Sequence, residues 1–143
     1  MPITFNGLSI AGRVNFIVSP GTPTIRTATA TGSTTATVTY TAPVVDGGTP
    51  ITSYTAVSSP GGITGSVNQS GSGTITVSGL MANIGYTFTV YATNSVGRSN
   101  SSSASNQITL TASVPGAPTI GTATVTGATT ATVTYTEIGR AHV

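Results

Sequence analysis

The chain repeats itself. Pro20 to Thr41 reads PGTPTIRTATATGSTTATVTYT, and Pro115 to Thr136 reads PGAPTIGTATVTGATTATVTYT, the same segment returning 95 residues later. Of its 22 positions only four differ: Thr22 against Ala117, Arg26 against Gly121, Ala30 against Val125, and Ser33 against Ala128. The 143 residues therefore hold one full unit and the opening of a second. A period of this length is the size of a self-sufficient sandwich domain and far exceeds a solenoid turn, so an array of separately folded beads is expected.

Within the unit, apolar and polar residues alternate with period two, the pattern of strands with one buried face. Ala36, Val38 and Tyr40 fall on one side, with Thr35, Thr37, Thr39 and Thr41 on the other. Tyr86, Phe88, Val90 and Ala92 alternate in the same way with Thr87, Thr89, Tyr91 and Thr93. Further strands are expected over 51–57 and 74–77, and Ile108 with Leu110 closes the unit. Threonine explains the unusual composition. There are 31 Thr and 17 Ser but only 4% charged residues, against about 25% in soluble domains generally. A β-branched hydroxyl side chain favours the extended backbone and keeps the outer face wettable without charge. Pro23, Pro43, Pro50 and Pro60 mark strand ends, where a missing N–H is tolerated. Asp46-Gly47-Gly48 and Pro60-Gly61-Gly62 are turn signals, and Ser66 to Gly73 reads as a Gly/Ser-rich connection. Six or seven short strands and no helical period give an all-β, antiparallel sandwich.

The unit runs from 20 to 112, and 113–136 supplies two strands of a truncated second copy. Residues 1–19 do not match the repeat. Ile3, Phe5, Leu8 and Ile10 surround Asn6-Gly7, a two-residue hairpin signal, so this stretch is either the end of a preceding domain or a short cap. Where the first copy continues Ala42-Pro43-Val44, the second has Glu137-Ile138-Gly139-Arg140-Ala141-His142-Val143. Those seven residues match one reading frame of a common short-read sequencing adapter and are expected to be an artefact tail. Without its opposing sheet the second copy has nowhere to bury Ile120, Val125, Val133 and Tyr135. It is expected to be mobile or to add its strands to an edge of the complete unit.

The unit resembles the fibronectin type III domain. The residues that carry the resemblance are Pro20 and Pro23, inward Val38 and Tyr40 followed by Pro43, and Gly48 and Ile51 leading to Tyr54. Leu80 six residues before Tyr86 continues it, then Phe88, Val90, Ala92, Asn94 and Gly97. That family usually has Trp at the place of Tyr40, and a Pro- or Gly-rich approach where this chain has Met81 to Gly85. The Thr/Gly/Ser bias is closer to bacterial-type or viral-type tandem copies than to animal ones. The resemblance implies an immunoglobulin-like sandwich in which Leu80 and Tyr86 form a tyrosine corner, with Tyr40 and Tyr54 in structural roles.

Chemistry finds little to work with. General acid–base catalysis needs paired titratable groups, and the two acids, Asp46 and Glu137, stand far apart in sequence. One histidine, His142, and no cysteine give neither a metal-ligand cluster nor a thiolate nucleophile. No Gly-x-Ser-x-Gly elbow or phosphate loop is present, so no catalytic residue, metal or cofactor is expected. Four arginines and no lysine make no basic stripe, which argues against nucleic acid. No apolar run approaches the roughly 20 residues that span a bilayer, and no signal peptide is recognisable at the start. The candidate ligand loop is Arg98, Ser99 and Asn100, with Tyr91 as the one outward ring beside it; directed N–H donors there would suit a glycan or a surface protein. The expected role is a non-catalytic spacer or adhesion module of a larger tandem-repeat protein, extracellular, at a cell surface or on a virion, whose partners are the neighbouring domains. The alternatives are a glycan- or protein-binding module, or an accessory domain of a secreted carbohydrate-active enzyme.

Overall fold

A computed structural model describes residues 3–5, 8–10 and 15–137. Strands β1 (Ile3–Phe5) and β2 (Leu8–Ile10) come first, followed by β3 (Thr24–Ala30), β4 (Thr35–Thr41), β5 (Ser53–Ser59), β6 (Thr64–Val67), β7 (Gly73–Ser78), β8 (Gly85–Thr93) and β9 (Ile108–Thr109). Two more, β10 (Thr119–Val125) and β11 (Ala131–Thr136), belong to the second copy. There is no helix among the described residues. The complete unit is a sandwich of a three-stranded sheet, β3-β4-β7, and a four-stranded sheet, β6-β5-β8-β9, all antiparallel.

The alternation read from the sequence is the alternation of burial. Ala36, Val38 and Tyr40 of β4, Ile75 and Val77 of β7, and Tyr86, Phe88, Val90 and Ala92 of β8 all point into one core with Ile25, Ala28, Ile51, Tyr54, Ala56, Leu80 and Leu110. The outward threonines of β4 and β8 are half-buried, and in β4 the hydroxyls of Thr35, Thr39 and Thr41 bond to Thr31, Thr27 and Arg26 of the neighbouring β3 hairpin.

Both seams between the sheets are closed. At one, β6 lies so near β7 that a Cβ on Gly65 would run into the carbonyl oxygen of Thr76, which explains a glycine inside that strand. At the other, β3 is bulged between Ile25 and Ala28. Asn106 caps it there, accepting from Ala28 N–H at 2.9 Å and donating to Ala28 C=O at 3.0 Å.

Four expectations need correction. Residues 66 and 67 belong to β6 and not to a connection, because Gly65 interrupts the apolar pattern that would have marked the strand. The strand read at 51–57 is Ser53–Ser59, with Ile51 buried just ahead of it. Val125 is no displaced core residue, since its counterpart Ala30 is itself exposed. Finally, of the two alternatives for the second copy, strand addition is not what the structure shows: β10 and β11 pair only with each other and add to no edge of the sandwich. Their register repeats that of β3 and β4 down to the bulge, Ile120 facing Tyr135 as Ile25 faces Tyr40. At the start of the chain Phe5 pairs with Leu8, so Asn6 and Gly7 are the connecting residues; they lie outside the described residues, as do 138–143 with His142.

Candidate functional site

The candidate loop follows β8. Tyr91 sits on the outward face of that strand, and the Arg98 guanidinium carbon lies 5.3 Å from its ring centroid, a cation–π contact. The structure therefore brings Tyr91 and Arg98 together. Arg98 and Asn100 are exposed, whereas Ser99 is only 7% exposed. The sequence places Ser99 among solvent-facing polar residues; instead its hydroxyl accepts from Ala92 N–H at 3.0 Å and donates to Asn100 C=O at 2.8 Å. Its hydroxyl proton is thus committed within the protein.

Ser99 is the first rung of a ladder. Ser102 and Ser105 repeat its arrangement at three-residue intervals, their hydroxyls accepting from Val90 N–H and Phe88 N–H, both at 3.0 Å. Each backbone N–H of Ser99, Ser102 and Ser105 donates at 2.8 Å to the carbonyl of the same β8 residue, Ala92, Val90 and Phe88 respectively. Three residues of this segment are thus matched to two of β8, and side-chain oxygens stand in for the missing strand carbonyls. The free edge of β8 is satisfied without a regular strand beyond β9.

The turn itself is organised by Asn94, which is 5% exposed. Its Oδ1 accepts from Val96 N–H at 3.0 Å and Gly97 N–H at 3.1 Å. Its Nδ2 donates to Val18 C=O at 2.7 Å and Asp46 C=O at 2.9 Å. One amide joins the turn, the 43–50 loop and the segment leading into the unit. Asp46 accepts from Gly48 N–H at 2.8 Å, shaping the tip of that loop.

The structural residues read from the sequence form two polar clusters. Tyr40 and Tyr54 stack with ring centroids 4.3 Å apart. Their hydroxyls donate to Gly71 C=O at 3.2 Å and Ser70 C=O at 3.0 Å, and Gln69 Nε2 donates to Tyr40 Oη at 2.8 Å. Burial disfavours the phenolate, so Tyr40 is pushed up to about 12, the Gln69 hydrogen bond opposing and Tyr54 adding a little, and Tyr54 is raised by burial too. At the other end Leu80 and Tyr86 are both buried, and Met81 N–H donates to Tyr86 Oη at 3.1 Å. Among the described residues no buried side-chain nitrogen or oxygen lacks a partner. Sequence reasoning named Asn94 only among the residues that carry the resemblance and Ser99 only as a loop residue; Asn106 and the ladder were not singled out, and the spacing Ser99, Ser102, Ser105 was the signal on offer.

Among the described residues no three His, Cys, Asp or Glu side chains group to hold a metal ion, and no helix is long and apolar enough to cross a membrane. Residues 21–108 match the fibronectin type III domain. The chain belongs to that family, whose domains are typically non-catalytic parts of larger multidomain proteins. A search of the curated proteins gives no match. Among solved structures, the chicken CNTN1 FN1-FN3 domains are similar with 21% identity and a TM-score of 0.56, over 71% of this chain and 36% of that one. The twitchin kinase region from C. elegans gives 23% and 0.55, over 66% of this chain and 17% of that one. Titin kinase and its flanking domains give 24% and 0.54, over 64% and 17%. At these identities the likeness concerns the fold, and this chain spans about a third or less of each of those structures.

Proposed function

We propose that this chain is part of a tandem array in which each sandwich is a structural spacer or adhesion module, non-catalytic, working outside the cell, at its surface or on a virion. The observation that carries this reading is the near-identical return of the unit's opening after 95 residues. The closed sandwich supports it, with its polar interior internally satisfied and its outer faces built on threonine. A surface with so few charges responds little to changes in salt, which suits an exposed array. The matched solved structures are themselves multidomain chains, and neighbouring domains are the partners this reading requires. Tyr91 and Arg98 are the residues of the alternative, a glycan- or protein-binding loop. Their mutual contact places the Arg98 guanidinium over one face of the Tyr91 ring.

Chains carrying one, two and three complete units decide between the two. A spacer gains a constant increment of maximum dimension per unit in small-angle scattering and binds nothing saturably on glycan and surface-protein arrays. Saturable binding by the single-unit chain, lost in Arg98→Ala or Tyr91→Ala, overturns the spacer reading in favour of recognition.

A further inference from the structure

Asn68-Gln69-Ser70 and Asn100-Ser101-Ser102 both carry the Asn-x-Ser pattern of an N-linked glycan acceptor. Transfer to such a triplet needs two of its side chains: the asparagine amide takes the sugar, and the hydroxyl two residues on is read with it. Both must reach the transferase at once. The fold presents the two triplets differently.

Asn68 follows β6 directly and opens the connection to β7. Asn68 and Ser70 are both exposed, on either side of a middle residue that is turned inward. Gln69 Nε2 lies within hydrogen-bond reach of Tyr40 Oη at 2.8 Å, Ser72 C=O at 3.0 Å and Gly71 C=O at 3.1 Å. Ser70 is held by its backbone carbonyl, which accepts from the Tyr54 hydroxyl at 3.0 Å, and not by its side chain. The tyrosine pair thus anchors the turn from within and leaves the amide of Asn68 and the hydroxyl of Ser70 facing water.

The second triplet is split. Asn100 is exposed, but Ser102 is 8% exposed, and its hydroxyl accepts from Val90 N–H at 3.0 Å and donates to Ser103 C=O at 2.8 Å. Reading that hydroxyl means pulling a rung of the serine ladder off β8.

We propose that Asn68 is an N-glycan acceptor site of the folded unit and that Asn100, despite the same pattern, is not. The co-substrate is an oligosaccharide carried on a lipid diphosphate. The Asn68 amide nitrogen bonds to the anomeric carbon of the first sugar as the bond from that carbon to the diphosphate breaks. The lipid diphosphate leaves with the electron pair, and the amide gives up one proton to a base of the transferase. A bulky hydrophilic group at this turn adds solubility to a chain only 4% charged. The proposal deepens the reading above and rests on its setting outside the cell, where such glycans are carried.

The test uses the purified, folded 143-residue protein, a single-subunit oligosaccharyltransferase that accepts Asn-x-Ser, and a lipid-diphosphate oligosaccharide, with intact mass and peptide mapping as readouts. One glycan per molecule is expected, on Asn68. Asn68→Gln and Ser70→Ala should each abolish it, and Asn100→Gln should leave it unchanged. A peptide spanning 97–105, freed from β8, should accept a glycan that the folded protein refuses at Asn100. A folded protein that takes no glycan at Asn68 overturns the site, and one that takes a glycan at Asn100 overturns the distinction between the two triplets. Refusal of the 97–105 peptide overturns burial of Ser102 as the reason for it. Because the reaction is run on purified protein, it is independent of the array's role. A chain that accepts the glycan yet binds a ligand saturably overturns the spacer reading and keeps the site, whereas a chain that refuses it loses the site and keeps the spacer.

Discussion

Asn106 meets the backbone of Ala28 with both ends of its amide, doing at the edge of β3 what a neighbouring strand would do with an N–H and a C=O. Asn106→Ala removes two hydrogen bonds and reopens that edge, and is expected to cost about 1–3 kcal/mol in urea unfolding. Asn106→Asp keeps the acceptor alone and should fall between. The tyrosine pair sets the alkaline limit of stability. In the unfolded chain a phenol ionises near pH 10, whereas Tyr40 in the fold is pushed up to about 12 and Tyr54 is raised. The folded state therefore binds protons more tightly than the unfolded state across that interval. Their contribution is fully present below pH 10 and is lost as pH rises from 10 toward 12. Phenolate absorbance at 295 nm, followed beside circular dichroism, should show the last tyrosines ionising together with unfolding. Tyr40→Phe should shift the alkaline midpoint upward relative to neutral-pH stability.

At the scale of elements, the ladder of Ser99, Ser102 and Ser105 shows why one side of the sandwich was harder to read than the others. Strands β4 and β8 were legible because every second residue faces the opposite sheet, and the sequence records that demand as Val, Tyr, Phe and Ala between threonines. The ladder follows neither a period of two nor one of 3.6, because its register is set by hydroxyls that bond β8 and not by side chains that fill the core. For the same reason β6 escaped notice: Gly65 is there for its close approach to β7, and a glycine carries no apolar signal. The Tyr91 and Arg98 contact lies between these cases, since an outward ring and a nearby arginine could be read, but not their stacking. Ser102→Ala leaves the buried N–H of Val90 without its side-chain acceptor and is expected to destabilise by roughly 1–3 kcal/mol. Ser103→Ala, one residue on and exposed, should be neutral within about 0.5 kcal/mol. Equal effects of the two in chemical denaturation would mean that the hydroxyls do not carry the edge.

The molecule as a whole contains its own control, because nearly the same hairpin occurs once with an opposing sheet and once without. The positions where the copies differ, Thr22, Arg26, Ala30 and Ser33, all lie off the core, while Ile25, Ala28, Ala36, Val38 and Tyr40 recur unchanged as Ile120, Ala123, Ala131, Val133 and Tyr135. Even the cross-strand contact from Thr27 N–H to Thr39 Oγ1 at 3.0 Å returns from Thr122 to Thr134 at 2.9 Å. Local sequence therefore sets the hairpin's register and bulge in both places. What it does not supply is burial: Tyr40 is 3% exposed and Tyr135 is 64% exposed. A two-stranded hairpin alone is marginal in water, so its apolar face adds stability only when the second sheet covers it. Tyr40→Ala is accordingly expected to lower the unfolding free energy of the complete unit by about 3 kcal/mol or more, in the range of large aromatic truncations in cores. Tyr135→Ala, the same substitution in the same local sequence, should leave that transition where it is. Both are read from one denaturation curve monitored at β8 amides. A shift of comparable size from Tyr135→Ala would mean that β10 and β11 pack on the first unit and that the second copy does not stand apart from it.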